Sequence, residues 1–235
     1  MPGLDATAAG GPPLGEPVPG WTTRPRPPET PMIGRTCRLE RLDGARHGPS
    51  LWRAWSEDVA GEGWTSLSYG PFADEDALTA FLEEKAAAHD PLFFAVVDAA
   101  TDRALGVASY LRIDPANGVI EVGHIHYAPA LRRTAIATEA MALMMARVFD
   151  ELGYRRYEWK CNALNAASMA AARRLGFSFE GIFRQALVSK GRNRDTAWFS
   201  IIDKEWPRQK ARFSAFLDPS NFDEAGRQRR PLARD

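Results

Sequence analysis

Residues 121–138 read EVGHIHYAPALRRTAIAT, and this stretch constrains the fold more than any other. A run of strand-favouring residues stops at Pro129, and two arginines and a string of mostly small side chains then open a helix. A helix start leaves its first backbone N–H groups unpaired and carries the positive end of the dipole, so it suits a phosphate. Arg132 and Arg133 stand just before Thr134, Ala135, Ile136 and Ala137, where an anion can approach the backbone closely. The expectation is a phosphorylated cofactor at this junction. On the motif alone, a solvated basic corner is the open alternative.

At 235 residues the chain is long enough for one large domain, and 45% of it is apolar, as in ordinary globular cores. Thirty basic residues balance thirty acidic ones, which argues against a nucleic-acid binder. The two cysteines, Cys37 and Cys161, are far apart, so neither a disulfide framework nor a paired-cysteine zinc site is expected. No apolar run reaches the ~18 residues of a membrane span, and the N-terminus lacks a secretory pattern. The expected compartment is the cytoplasm, with no membrane and no nucleic-acid partner.

Residues 1–31 hold nine of the 17 prolines and five glycines. They read as an extended or mobile arm in which Trp21 can dock on the folded body. Residues 218–235 read as a polar, arginine-rich tail in solvent. Between them lies a single domain, 32–217. A strand is expected at 36–42, helices at 45–55 and 74–88, and a loop rich in glycine and aromatics at 61–72. Strands at 92–98, 104–113 and 119–127 follow, joined by short turns that imply antiparallel neighbours. A helix at 134–152, a strand at 156–161, a short helix capped by Asn165 and ending at Gly176, and a hairpin around 190–193 complete the pattern. The strand–helix–strand run at 119–161 is long enough for a parallel crossover, so the fold class is α/β with a mixed sheet.

The order of four motifs is more specific than any one of them. They are E-V-G at 121–123, R-R-T-A-I-A at 132–137, N-A-A-S at 165–168 and R-L-G-F-S-F-E-G at 174–181. Together they resemble the GNAT superfamily of acyl-CoA-dependent N-acetyltransferases, in particular the branch of the RimJ and RimL ribosomal-protein acetyltransferases, over about residues 33–207. The resemblance implies a mixed, mostly antiparallel central sheet, splayed between two strands and flanked by helices. It implies acetyl-CoA as co-substrate, with its pyrophosphate on the amides of Arg132, Arg133, Thr134, Ala135, Ile136, Ala137 and Thr138. The pantetheine arm would lie in the splay, against exposed backbone near Ile125, His126 and Tyr127 and touching Asn165. One departure stands out: the family loop is written Q/R-x-x-G-x-G/A, and Ala135 replaces its first glycine. A helical backbone accepts that alanine.

Acyl transfer to nitrogen needs an unprotonated amine and a stabilised thiolate. Deprotonating a lysine-like amine at pH 7 costs about 4–5 kcal/mol, and a peptide α-amine about 1 kcal/mol. Glu121 is the candidate base, at a position where some family members place a catalytic carboxylate; a structural ion pair is the equal alternative. Ser168 matches the hydroxyl proposed to reach the CoA sulfur, against plain helix capping. His124 and His126 share a strand face. They lack the further ligands of a metal site, so no metal is expected, and His126 is the reserve base. Tyr157, Trp159 and Cys161 read as core. The 190–195 turn reads as solvent-exposed, although the family's last hairpin helps to wall the acceptor site. The implied reaction is acetyl transfer to a primary amine by direct attack in a ternary complex. The acceptor is a protein N-terminus or a small-molecule amine, and the aromatic loop 61–72 shapes its pocket. A non-catalytic acyl-CoA-binding module is the alternative. Edge strands of such sheets can pair between subunits, which makes a homodimer one expected assembly.

Overall fold

The computed structural model of the protein describes residues 14–224 and 226–232. An eight-stranded sheet runs in the order β1-β2-β3-β4-β5-β6-β8-β7. Its strands are β1 (Met32–Ile33), β2 (Cys37–Arg41), β3 (Leu92–Asp98), β4 (Ala104–Asp114), β5 (Val119–Tyr127), β6 (Arg156–Asn162), β7 (Ser178–Ser189) and β8 (Arg192–Ile202). All neighbours are antiparallel except β5 and β6, which are parallel. The expected fold class is therefore the observed one: α/β, with a mixed and mostly antiparallel sheet.

Helices cover the sheet unequally. α1 (Gly44–Trp55) and α2 (Glu75–Ala86) pack on one face of β2–β4, where Leu51, Leu78 and Leu82 meet Phe93, Ala95 and Val97. α3 (Ala135–Ala146) and α5 (Trp206–Leu217) pack on the other face, with Phe94, Tyr110, Ile120, Tyr157 and Phe199. The first four helix starts carry side-chain caps, whereas α5 has none. The side chains of Asp43, Asp74, Thr134 and Asn165 accept from the amides of Arg46, Ala77, Ala137 and Ser168. Asn165 caps α4 (Ala166–Arg174). α3 gives way to a single π-type turn, Arg147–Glu151, where a uniform helix to 152 was expected. The buried Arg147 guanidinium sits in that turn and donates to the carbonyls of Thr30 (2.6 Å) and Pro31 (3.1 Å).

Two segments were not anticipated. β1 is only two residues long, and α5 carries Trp206, Gln209, Phe213 and Phe216 on its buried side, a helical spacing present in the sequence. The C-terminal segment also departs from a tail in solvent. Asn221 is 1% exposed, its amide donating to the carbonyls of Phe216 and Arg230, and Leu232 joins the core. Residues 1–13 of the proline-rich arm lie outside the described residues. Its remainder runs along the end of the sheet remote from the C-terminus of β5. Trp21 donates its indole N–H to Ala116 (2.9 Å), and its ring fills the space a Cβ on Gly118 would need. Gly118 has φ +62°, so the β4–β5 turn requires glycine twice over.

One buried carboxylate ties both halves together. Glu139, on α3, accepts from the amides of Arg35 (2.8 Å), Thr36 (2.6 Å) and Cys37 (3.1 Å) and from the Thr36 hydroxyl, closing the β1–β2 turn. The tip of the β7–β8 hairpin is held in a comparable way. Lys190 Nζ donates to the carbonyls of Trp64 (3.0 Å) and Gly70 (3.2 Å), 126 and 120 residues away in sequence, so the turn expected in solvent is anchored to the aromatic loop.

Replacing Glu139 with Ala strands those donors, each a penalty of about 1–3 kcal/mol when buried. The melting temperature is expected to fall by roughly 5–15 °C, measured by calorimetry. Lys190→Met is expected to leave melting nearly unchanged but to speed amide exchange in residues 62–70 and 189–193 by about tenfold. Unchanged exchange would show that the hairpin tip is held by other contacts.

Candidate active site

The parallel ladder between β5 and β6 runs from Val119↔Arg156 to Val122↔Trp159 and stops there. Each strand then follows its outer neighbour. β6 pairs with β8 through all seven residues, Arg156↔Ile202 to Asn162↔Thr196. β5 stays with β4 to Gly106↔Tyr127, after a bulge in which the register shifts between Val107↔His126 and Ser109↔Gly123. His124 sits in the bulge at φ +49°, a conformation non-glycine residues seldom adopt. Beyond Val122 and Trp159 the strands therefore part. The gap lies where the family resemblance puts the splay, along Gly123–Tyr127 on one side and Lys160–Asn162 on the other.

The helix start beyond Pro129 borders this gap. Arg133 takes φ +64°, and Thr134 then caps α3. Among the seven residues expected to hold phosphate, four amides are already used inside the protein. Arg132 donates to the carbonyls of Ala128 and Pro129, Thr134 to Leu131, Ala137 to the Thr134 hydroxyl and Thr138 to the Thr134 carbonyl. The amides of Arg133, Ala135 and Ile136 meet no acceptor among the described residues. The anion seat is thus narrower than the sequence suggested, because the cap and the preceding turn consume the rest. The Arg132 side chain is also committed. Its Nε donates to the Tyr127 carbonyl (2.9 Å) and its Nη2 to Asp58 (3.0 Å).

Glu121 and Ser168 come from opposite faces of the sheet. Glu121 pairs with Leu111 across β4–β5 and shares the α1–α2 face with Gly123, His124 and His126. It is 5% exposed and lies at the end of a chain of opposite charges. Arg112–Glu121, Glu121–Lys160, Lys160–Glu158, Glu158–Arg156 and Arg156–Glu180 approach to 3.6, 2.9, 2.7, 2.6 and 2.5 Å. Burial raises the Glu121 carboxyl above its ordinary value, while the Lys160 ammonium and the Arg112 guanidinium pull it back. Although Lys160 is close, no aligned hydrogen bond reaches Glu121 Oε2. Ser168 lies on the α4 side. Trp159, the last residue of β6 paired to β5, donates its indole N–H to Ser168 Oγ at 3.0 Å. Because an indole can only donate, the hydroxyl oxygen is the acceptor, and the hydroxyl also faces the neighbouring Cys161 sulfur.

The two histidines do share a face, but neither is an open base. His126 is buried between Trp64 and Trp55, with ring centroids at 3.8 and 4.6 Å. Burial pushes it down to about 4, and its Nε2 has no partner. That sealing removes its side chain from the role of reserve base. His124 also falls to about 4, through burial and then the charges of Lys85 and Arg194, and its Nδ1 lies 3.3 Å from the Tyr69 hydroxyl. Cys161 is buried and its thiol is held up by desolvation. The sequence reading missed Lys160, Asp58 and Trp159 as members of the site. Strand alternation alone could have placed Lys160 beside Glu121. Among the described residues, no helix is long and apolar enough to cross a membrane.

Comparison with known proteins agrees with this geometry. The crystal structure of a GCN5-related N-acetyltransferase from Brucella melitensis superposes with a TM-score of 0.89 at 49% identity, covering 92% of this chain and 97% of that one. An acetyltransferase from Salmonella typhimurium, described as modifying the N-terminal serine of ribosomal protein L7/L12, shares the fold at 21% identity. Its TM-score is 0.63, with 74% of this chain and 99% of that chain covered. An uncharacterised N-acetyltransferase, p20, of Bacillus licheniformis is 28% identical over 117 residues. That match takes in 48% of this chain and 63% of the relative, so the chain spans a little under two thirds of its length. Residues 39–178 match the acetyltransferase (GNAT) domain, and the chain belongs to the GNAT acetyltransferase family.

Proposed function

We propose that the protein transfers the acetyl group of acetyl-CoA to a primary amine by direct attack in a ternary complex. The parting of β5 and β6 after Val122 and Trp159, with Glu121 on one face and Ser168 on the other, carries this reading. The residues present suit the co-substrate. The free amides of Arg133, Ala135 and Ile136 form a phosphate seat at a helix start. The backbone edge of Ile125, His126 and Tyr127 facing the gap offers hydrogen bonds to a pantetheine arm, and Asn165 lies at its far side. Acetyl-CoA, when bound, supplies the activated acyl carbon and the sulfur leaving group.

Glu121 removes the proton that the amine loses as the N–C bond forms. A carboxyl raised by burial is a better base near neutrality than an exposed one. Lys160 and Arg112 oppose that rise and favour the charged form. Ser168, whose oxygen is already engaged by Trp159, donates its proton as a hydrogen bond to the sulfur as the C–S bond breaks. A thiol of ordinary pKa ~8.5 needs no stronger acid. The base side and the leaving-group side are thus separated by the sheet itself. The Salmonella relative acts on a protein N-terminus, and an α-amine is the easier nucleophile at pH 7, so a protein N-terminus is the favoured acceptor over a small amine.

Incubating the chain with acetyl-CoA and a panel of peptides and small amines tests the reading. Thiol release must exceed background with at least one acceptor; tight CoA binding without any release would instead identify a non-catalytic acyl-CoA module. In Glu121→Gln, kcat is expected to drop by about 10²–10⁴-fold. A base must be unprotonated, so wild-type activity falls as pH drops through the raised carboxyl pKa, and that acid limb should vanish in the variant. A limb that persists would belong to the amine alone. Ser168→Ala should lower kcat about tenfold or more while CoA affinity, measured by calorimetry, stays within twofold; an equal loss in both would mean packing.

A further inference from the structure

Charge on the acceptor-facing side of β5, β6 and β7 is matched pair by pair, but β8 breaks that pattern. Arg194, Thr196 and Trp198 alternate onto this face: Lys160 Nζ lies 3.7 Å from the Trp198 ring centre, and Thr196 pairs with Asn162 across β6–β8. Each keeps one buried polar atom without a partner, namely Arg194 Nε, Thr196 Oγ1 and Trp198 Nε1. Thr196 is 6% exposed. Two of these atoms can only donate a hydrogen bond, and the third can donate one. Buried donors left unmade are costly and therefore rare, so three in a row on one strand face describe half of a binding site.

The charge of the row is equally one-sided. Residues 184–194 contain Arg184, Lys190, Arg192 and Arg194 and no acidic residue. Asp195 is turned away from the row to accept from the Gln185 amide (2.8 Å) and from Asn193 (3.0 Å). Arg194 is half-buried, and no carboxylate among the described residues meets it. Its field reaches His124 on β5 and Cys161 on β6, so it stands beside the parted strands. The aromatic loop and the Lys190 crossbar close over the same side.

We propose that Arg194, flanked by Thr196 and Trp198, forms an acceptor subsite for a carboxylate carried close to the reacting amine, so that acidic amines are the preferred substrates. The inference rests on the transferase reading and sharpens its acceptor. Arg194 offers a charge-assisted, forked contact that neither neighbour can supply, and Thr196 and Trp198 donate to oxygens beside it. The carboxylate has two possible sources: an Asp or Glu side chain just after a peptide N-terminus, or the α-carboxylate of a free amino compound.

The test uses the full chain with matched acceptors. One pair is a hexapeptide with a free N-terminus and Asp or Glu at positions two and three, against its Asn/Gln isostere; the other is a free amino acid against its amide. Wild type is expected to favour the acidic member of one pair about tenfold in kcat/KM, and the pair concerned identifies the source. Arg194→Gln should cut the preference to within twofold, chiefly by raising the acceptor KM, and Arg194→Lys should restore part of it. Equal use of both members by wild type, or a preference that survives in Arg194→Gln, overturns the proposal. Peptide binding to the CoA-loaded chain, followed by calorimetry, separates this from the activity itself. Arg194-dependent binding of the acidic peptide without turnover would sink the transferase reading and leave the subsite standing. Turnover without carboxylate preference would do the reverse, and binding of neither the acidic peptide nor the free amino acid would count against the subsite.

Discussion

The structure depends on two parallel strands being held more firmly by their outer neighbours than by each other. β6 is fully paired to β8, and β5 is paired to β4 up to Tyr127, so neither can bend back to close the ladder beyond Val122 and Trp159. The bulge at His124 makes this possible, because it absorbs an extra residue while β5 keeps its place beside β4. Backbone groups on the facing edges of the gap are left for a ligand, since buried amides and carbonyls must find partners somewhere. Every chemical feature then falls into position around the opening: the helix start beyond one strand, the capped helix beyond the other, a carboxylate on one face and a hydroxyl on the other.

The same bulge explains what the sequence could and could not reveal. Strands at 92–98 and 119–127 were legible to the residue, because apolar runs bounded by turn formers leave little freedom. The cap at Asn165 was legible for the same local reason, whereas Thr134, expected as the first helical residue, is itself a cap. The bulge was not, since nothing in the propensity of histidine announces a left-handed conformation. Its effect is considerable: Glu121 and Gly123 face the same side as His124 and His126, although simple alternation would put odd and even positions on opposite faces. α5 was overlooked although its apolar spacing is regular, and the burial of Asn221 and Leu232 rests on long-range contacts that no local pattern encodes.

Within the site, residue types were legible and partners were not. Glu121 could be picked out as a strand carboxylate, but its Lys160 and Arg112 neighbours, which oppose the upward push of burial, come from β6 and from β4. Ser168 could be matched to a motif. Only the fold supplies Trp159, whose N–H occupies one acceptor site of the hydroxyl oxygen. Arg132 illustrates the opposite error: an arginine beside a helix start invites a phosphate role, yet its guanidinium spans Tyr127 and Asp58. The free amides at the helix start belong to the backbone, and the arginine braces the turn that carries them.

That bracing links the parts of the site. Asp58 Oδ2 accepts from Arg132 and from the Gly63 amide together, so the helix start and the aromatic loop share one carboxylate oxygen. Trp64 in the same loop packs on His126, Tyr69 reaches His124 at the bulge, and the carbonyls of Trp64 and Gly70 hold Lys190 at the hairpin tip. Three separate pieces of chain therefore meet on residues 58–70: the start of α3, the bulged end of β5 and the β7–β8 hairpin. A segment held by hydrogen bonds at its edges and ring contacts at its centre has few ways to move independently. Hydrogen bonds thus run from the helix start through Asp58 to the loop, and from the loop through Lys190 to the hairpin whose second strand carries Arg194. The helix start and the β7–β8 hairpin are thereby tied to one loop, and a single carboxylate oxygen joins that loop to the helix start.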